Sequence, residues 1–152
     1  MPSHHAAIDL GAESGRVIVG NLSDGRITLH EVHRFPTGAS TLGTTLRWNI
    51  LRIFEEIKTG LKKAGREFPD LCSVSADSWG VDYIYWSDTD PILGFPFHYR
   101  DRRTDQALER AFARVPQSVI FAETGLQFMP FNTVYQWADD VARRPRLVAA
   151  AQ

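Results

Sequence analysis

In Ile8-Asp9-Leu10-Gly11-Ala12-Glu13-Ser14-Gly15-Arg16 a carboxylate leaves the end of an apolar run and enters a turn bracketed by two glycines, after which the chain again becomes strand-like. That order differs from the Walker pattern, which needs Gly-Lys-Ser/Thr, and from the dinucleotide fingerprint, which needs a helix after the turn. Working outward, residues 6–10, 16–22 and 26–35 read as three strands, with Ser23-Asp24-Gly25 as the second turn. Asp-Gly between alternating apolar runs is a strong hairpin signal, because glycine takes positive φ without steric penalty. An antiparallel meander therefore opens the chain.

Beyond a Gly/Ser/Thr-rich loop at 37–45, Ile50, Ile53, Phe54, Ile57, Leu61 and Ala64 recur at helical spacing, with Glu55, Glu56, Lys58, Lys62 and Lys63 on the other face. Asn49 is the expected N-cap and Gly65 the expected terminator of this amphipathic helix. Residues 71–76 read as a short buried strand and 80–87 as a second strand, in which Tyr83 and Tyr85 alternate with Ile84 and Trp86 as if both faces were covered. Helical patterns then cover 104–113, 117–123 and 133–144, interrupted by Gly125 and Pro130. Strands first and helices later predict an α/β or α+β layered domain, its mixed sheet opening with the meander and flanked by helices. No internal repeat and no low-complexity tract is present.

The composition excludes several classes. The 152 residues carry 43% apolar side chains and a net charge of −1, the profile of an ordinary globular domain. A chain this long buries roughly 70% of its unfolded surface and needs neither disulfides nor a structural metal. Cys72 is the single cysteine, so no intrachain disulfide and no cysteine-based zinc cluster can form, which fits a reducing cytoplasm. No run approaches the roughly 18 apolar residues of a membrane helix, and Met1-Pro2-Ser3-His4-His5 lacks the basic and apolar regions of a signal peptide. With 17 Lys+Arg against 18 Asp+Glu there is no basic excess for a nucleic-acid backbone. His4-His5 lack a third ligand nearby in sequence and read as a terminus, not a metal site.

Three segments could carry chemistry. In the opening turn, Gly11 and Gly15 allow close backbone approach, successive N–H groups can form an anion nest, and Ser14 and Arg16 add a hydroxyl and a charge. Asp9 beside such phosphates is where a hydrated magnesium ion would be held; the same spacing also serves a plain hairpin whose Asp stabilises its turn. In Asp77-Ser78-Trp79-Gly80-Val81-Asp82-Tyr83 a carboxylate, an indole and a glycine meet, as in sites that bind sugar hydroxyls and C–H faces, or as in a buried Trp packed under a bend. The run His98-Tyr99-Arg100-Asp101-Arg102-Arg103-Thr104-Asp105 places Arg100 and Asp101 either at a pocket mouth or in a solvated helix cap. Gln127-Phe128-Met129-Pro130-Phe131-Asn132 is an apolar loop that spacing assigns equally to core or to a pocket cover.

Together with His33-Arg34-Phe35, Trp48-Asn49, Tyr99-Arg100-Asp101-Arg102-Arg103-Thr104 and Thr124-Gly125-Leu126-Gln127-Phe128-Met129-Pro130-Phe131-Asn132-Thr133, these segments resemble the FGGY carbohydrate kinases over nearly the whole chain. The resemblance implies an actin-like ATPase fold of two ribonuclease-H-like domains, with sugar and ATP meeting in the cleft between them. It also implies transfer of the γ-phosphoryl of ATP, with magnesium, to a primary hydroxyl of a ketose. By that likeness Ala12, Glu13, Ser14, Gly15 and Arg16 lie against the nucleotide phosphates and Asp9 organises magnesium. Gly80 matches the sugar-contacting glycine of the family, with Asp77 and Trp79 beside it and Arg100 and Asp101 as further sugar ligands.

Phosphoryl transfer needs positioning, charge stabilisation and a base for the attacking hydroxyl. In the FGGY kinases that base is the Asp of a His-Asp-Thr segment, which is absent from residues 1–152, so no catalytic residue is assigned in this chain. Residues 145–152 read as the start of a helix with no terminating signal. The expectation is the first part of a kinase N-terminal domain, with the C-terminal domain absent, the remainder of the same kinase chain as its partner, and no activity by itself. The alternatives are a non-catalytic actin-like module that binds a sugar or a partner, which should end cleanly, and a kinase of the same family with another sugar.

Overall fold

The computed structural model describes residues 3–151. They divide into two compact units: the chain up to Ser40 with Trp48–Gly80, and Thr41–Arg47 with everything from Val81 onward.

The first unit is built on a four-stranded sheet of order β3-β2-β1-β6, comprising β1 (Ser3–Leu10), β2 (Ser14–Ser23), β3 (Arg26–Pro36) and β6 (Leu71–Asp77). The first three strands form the expected antiparallel meander, and β6 joins β1 in parallel, so the sheet is mixed. Asp24 and Gly25 both take positive φ, 51° and 73°, in the two-residue turn that suits the strand twist. Alternate residues Ala6, Ile8, Gly15, Val17 and Val19 are buried, and Ile8, Val17, Val19 and Ala64 form the core. Each fully buried Val or Ile there contributes about 1.5–3 kcal/mol over an exposed one.

The core is closed by α1 (Ile50–Glu67), whose first turn is capped by Asn49 Oδ1 accepting from the Arg52 N–H at 3.1 Å. Gly60 lets the helix come close to the sheet, since a Cβ there would lie 2.4 Å from Val17 Cγ2. Gly65 does not end the helix: its φ is not positive, and α1 runs to Glu67, where the Phe68 N–H bonds the Ala64 carbonyl at 2.8 Å. The Phe68 ring then packs 5.0 Å from His4 and 5.5 Å from His30, holding the chain as it leaves the helix. The strand at 71–76 forms as read but is not buried, because α1 packs over β2 and β3 and leaves β6 at the open edge.

The second unit has little sheet. Its hairpin of β4 (Ser40–Leu42) and β5 (Thr45–Arg47), turning at Gly43 with φ 61°, begins inside the stretch 37–45 that reads as loop and runs two residues past it. A 3-10 turn at Arg102–Thr104 is followed by α2 (Ala107–Phe112), α3 (Gln117–Thr124), α4 (Thr133–Arg143) and α5 (Pro145–Ala150). The continuous helix expected at 104–113 is thus broken: Asp101 caps the 3-10 turn through the Arg103 N–H, and α2 starts afresh after Gln106, whose side chain makes no capping bond. Gly125 ends α3 in the left-handed region at φ 65°, as its place in the sequence predicts.

The strand expected at 80–87 does not form. Tyr83 and Tyr85 point the same way because both hydroxyls donate to Asp140 Oδ2, at 2.8 and 3.0 Å, while Ile84 and Trp86 stay exposed. The alternation is that of an extended segment held by these side chains and by the Leu93 N–H donating to the Tyr85 carbonyl at 2.9 Å, outside any strand ladder. Asp140 is fully buried and also accepts from Arg103 Nη1 at 2.6 Å and from Arg144 Nε at 3.0 Å. Arg47, Arg103 and Arg144 stand 3.3, 4.0 and 4.2 Å from the centre of the buried Phe97 ring. Where the first unit has an apolar core, this one has a carboxylate, three guanidiniums and a ring.

Candidate functional site

At the end of the first hairpin, antiparallel register sets Asp9 opposite Arg16 and Leu10 opposite Gly15. The Asp9 carboxylate accepts from Arg16 Nη2 in an ion pair, both side chains remaining more than one-third exposed. Arg16 lies beside Arg34 on β3, whose own guanidinium is taken up by Glu31 at 3.0 Å. That hydrogen bond holds the Glu31 carboxyl below its usual pKa and raises that of Arg34. The turn is closed by the Gly11 N–H donating to the Ser14 carbonyl at 3.0 Å. Gly15 is required by packing, for a Cβ there would lie 2.5 Å from the buried Phe35 ring.

A residue without a sequence signal braces this turn. Buried Thr37 donates its N–H to the Glu13 carbonyl at 3.1 Å and its hydroxyl to the Gly11 carbonyl at 2.6 Å. It lies in the Ser/Thr-rich loop, where nothing in composition separates it from its neighbours.

Parallel register places Asp77 next to Asp9, so β1 and β6 present two carboxylates side by side at their carboxyl ends, with Arg16 across from Asp9. Ligands of α/β sheets characteristically bind at the carboxyl ends of parallel strands. Among the described residues no group of three His, Cys, Asp or Glu is arranged to hold a metal ion. The donor set suits a magnesium ion that arrives with a nucleotide and takes most of its oxygens from phosphate and water, and it does not suit a resident metal. Arg16 Nε is buried with no hydrogen-bond partner, a donor that suits an anion at this turn.

Two residues beyond Asp77, the Trp79 ring stacks on the buried Trp48 with centroids 4.0 Å apart and planes 16° from parallel. One indole face is therefore taken up by packing. Gly80 is exposed and nothing lies within 4 Å of where its Cβ would be.

In the second unit, Asp101 is buried and its carboxylate accepts from the backbone N–H of Leu46 at 2.7 Å and of Arg103 at 2.9 Å, so it ties a loop to the β4–β5 hairpin. Arg100 is exposed, and its N–H donates to Nδ1 of the buried His98 at 3.0 Å. Burial pushes the His98 pKa down and favours the neutral ring that can accept this bond. Burial, together with the Asp140 carboxylate they donate to, raises the pKa of both Tyr83 and Tyr85, the latter to about 12.

Gln136, which the sequence reading did not single out, is the hub of this unit. It is 1% exposed, and its Nε2 donates to the Phe131 carbonyl at 2.7 Å, the Val81 carbonyl at 3.1 Å and Asp82 Oδ1 at 3.2 Å. Its Oε1 accepts from Arg103 Nη2 at 2.6 Å. The structure thus brings Asp9, Arg16 and Asp77 together within the first unit and gathers segments 81–82, 99–103 and 131–133 around Gln136 within the second.

The fold is the mixed α/β fold of the actin-like ATPases in the form used by FGGY sugar kinases. It matches a gluconate kinase from Lactobacillus acidophilus with TM-score 0.84 and 14% identity, covering 99% of this chain and 30% of that one. A ligand-bound xylulose kinase from the same organism gives TM-score 0.83, also with 14% identity and the same coverage. In sequence the chain resembles the rhamnulokinases. It is 38% identical over 132 residues to that of Bacillus subtilis and 40% identical over 136 residues to that of Oceanobacillus iheyensis, covering 87% and 90% of this chain. The chain spans 27% and 29% of the length of those two relatives. No protein-family model matches it, and among the described residues no helix is long and apolar enough to cross a membrane.

Proposed function

We propose that this chain is the first part of the N-terminal domain of a cytoplasmic sugar kinase that transfers the γ-phosphoryl of ATP to the primary C1 hydroxyl of L-rhamnulose. The observation that carries the reading is the likeness to rhamnulokinases along almost the whole chain, at 38–40% identity in the two relatives above. Its physical support is the hairpin end, where Asp9 and Asp77 stand side by side and Arg16 keeps a buried nitrogen unpartnered.

In this reading the turn Ala12-Glu13-Ser14-Gly15-Arg16 faces the phosphates. Thr37 engages the carbonyls of Gly11 and Glu13, which limits the turn's freedom to rearrange. Arg16 exchanges part of its pairing with Asp9 for phosphate oxygens, and Asp9 is then available to hold magnesium. When bound, magnesium neutralises charge on the phosphoryl group in flight. By the family likeness, Asp77, Trp79, Gly80 and Arg100 serve the sugar. Asp101 acts there through the backbone it holds, since its carboxylate is engaged by two N–H groups. The C-terminal domain and the base that takes the hydroxyl proton come from sequence beyond these residues.

The test is an ATP-consumption assay of the full gene product with L-rhamnulose, xylulose, gluconate and glycerol. The greatest kcat/KM is expected with L-rhamnulose. A greater value with another sugar would transfer the assignment to that sugar, and inactivity with all four would remove the kinase reading.

A further inference from the structure

We infer that Gln136 is a positioning residue for the sugar, an inference that rests on the kinase reading above. Its amide has two hydrogens and faces three acceptors. The 2.7 Å bond to the Phe131 carbonyl takes one hydrogen, and the Val81 carbonyl and Asp82 carboxylate, at 3.1 and 3.2 Å, share the other. The opposite end accepts from Arg103, which has donors only, so the orientation of the amide is determined.

Each partner lies on a segment assigned to the sugar or next to one. Val81 follows Gly80 in the chain, and its carbonyl is held a second time by the Thr133 hydroxyl at 2.8 Å. Asp82 uses its other oxygen, Oδ2, to accept from the Tyr99 N–H at 3.2 Å, one residue before Arg100. Phe131 belongs to the apolar loop that leads into α4. One buried side chain on α4 therefore sets the backbone at 81–82 directly and at 99–100 through Asp82, without being a sugar ligand itself.

The geometry makes glutamate the sharpest substitution. Gln136→Glu keeps the acceptor toward Arg103 but turns a second oxygen onto two carbonyls and a carboxylate, repelling the segments that glutamine holds. Gln136→Met keeps the length and removes both sets of bonds. In the full gene product, Gln136→Glu is expected to raise KM for the ketose by about tenfold or more, with KM for ATP within about twofold of wild type and kcat at saturating sugar largely kept. Gln136→Met should shift the same constant by less. Thr133→Val, at an exposed position that shares only the Val81 carbonyl, should shift it least and in the same direction, and it serves as the test should the Gln136 variants fail to fold.

A purely structural role predicts a lower melting temperature and a smaller active fraction with unchanged KM for the sugar. That result, or equal rises in KM for sugar and ATP, or an unaltered sugar KM in Thr133→Val when the Gln136 variants do not fold, would overturn the inference. A wild-type enzyme that phosphorylates none of the sugars would instead remove the kinase reading, and this inference with it.

Discussion

The two units of this chain solve the same problem by different means. The first buries alternate residues of a β-meander under an amphipathic helix and satisfies its backbone through ladders. The second holds an extended segment and short helices through buried side chains, with Asp140, Arg103, Arg144, Gln136 and two tyrosine hydroxyls in place of a ladder. A ladder rests on backbone groups, so changing one side chain leaves its hydrogen bonds in place and acts through packing alone. A buried ionic network fails when one member is removed, because the partners left behind are desolvated charges.

That contrast is broken most directly at Asp140. Asp140→Ala leaves Arg103, Arg144 and the two tyrosines facing a void and should cost about 3–5 kcal/mol in denaturant titration of the full gene product. A loss below about 1 kcal/mol would mean that the second unit is held by packing like the first.

The next largest effect is on activity. In the kinase proposed above Asp9 holds magnesium and acts on charge in the transition state, so Asp9→Asn should lower kcat by about a hundredfold, far more than it raises KM for the sugar. Because its pair with Arg16 is more than one-third exposed on both sides, the melting temperature should barely move. An unchanged kcat would take Asp9 out of the mechanism.

Gly60→Val probes the first unit. The new side chain meets Val17 where a Cβ already approaches to 2.4 Å, and the helix must lift at a cost of about 1–3 kcal/mol. Chemical denaturation measures the loss. If the cost equals that of Asp140→Ala, the two units are equally brittle and the comparison fails.

The smallest effect at working pH belongs to the tyrosines. Burial and Asp140 raise both phenol pKa values in the folded state, that of Tyr85 to about 12, so these groups stabilise the fold fully below the unfolded value of about 10. The unfolded chain releases those protons first, and stability should fall as pH rises from about 10 toward the folded values. Melting temperatures measured from pH 7 to 11 should be flat at first and then decline, and Tyr83→Phe should reduce the decline.

How much of this was legible in the sequence follows the same division. The meander, the Asp24-Gly25 turn, the Asn49 cap and the helix over the sheet were readable because each rests on periodicity or on one residue's local geometry. The exposure of β6 was not, since apolar composition says nothing about which strands a helix covers. Neither was the fate of 80–87, where the alternation of Tyr83 and Tyr85 comes from Asp140, more than 50 residues away. At the candidate site, Asp9 and Arg16 stand out because they flank a glycine-bracketed turn. Thr37 and Gln136 do not: both partners of Thr37 are backbone carbonyls distant in sequence, which have no residue identity to read, and three of the four partners of the Gln136 amide lie more than 30 residues away.

The stacked indoles of Trp48 and Trp79 have a consequence in optics. Two chromophores with ring centres 4.0 Å apart couple their electronic transitions, so the pair should give the near-ultraviolet circular dichroism a signature that neither ring has singly. Because Trp79 sits in the turn proposed to serve the sugar and stacks on the buried Trp48, that signature is an intrinsic gauge of the turn, readable without a label and independent of turnover.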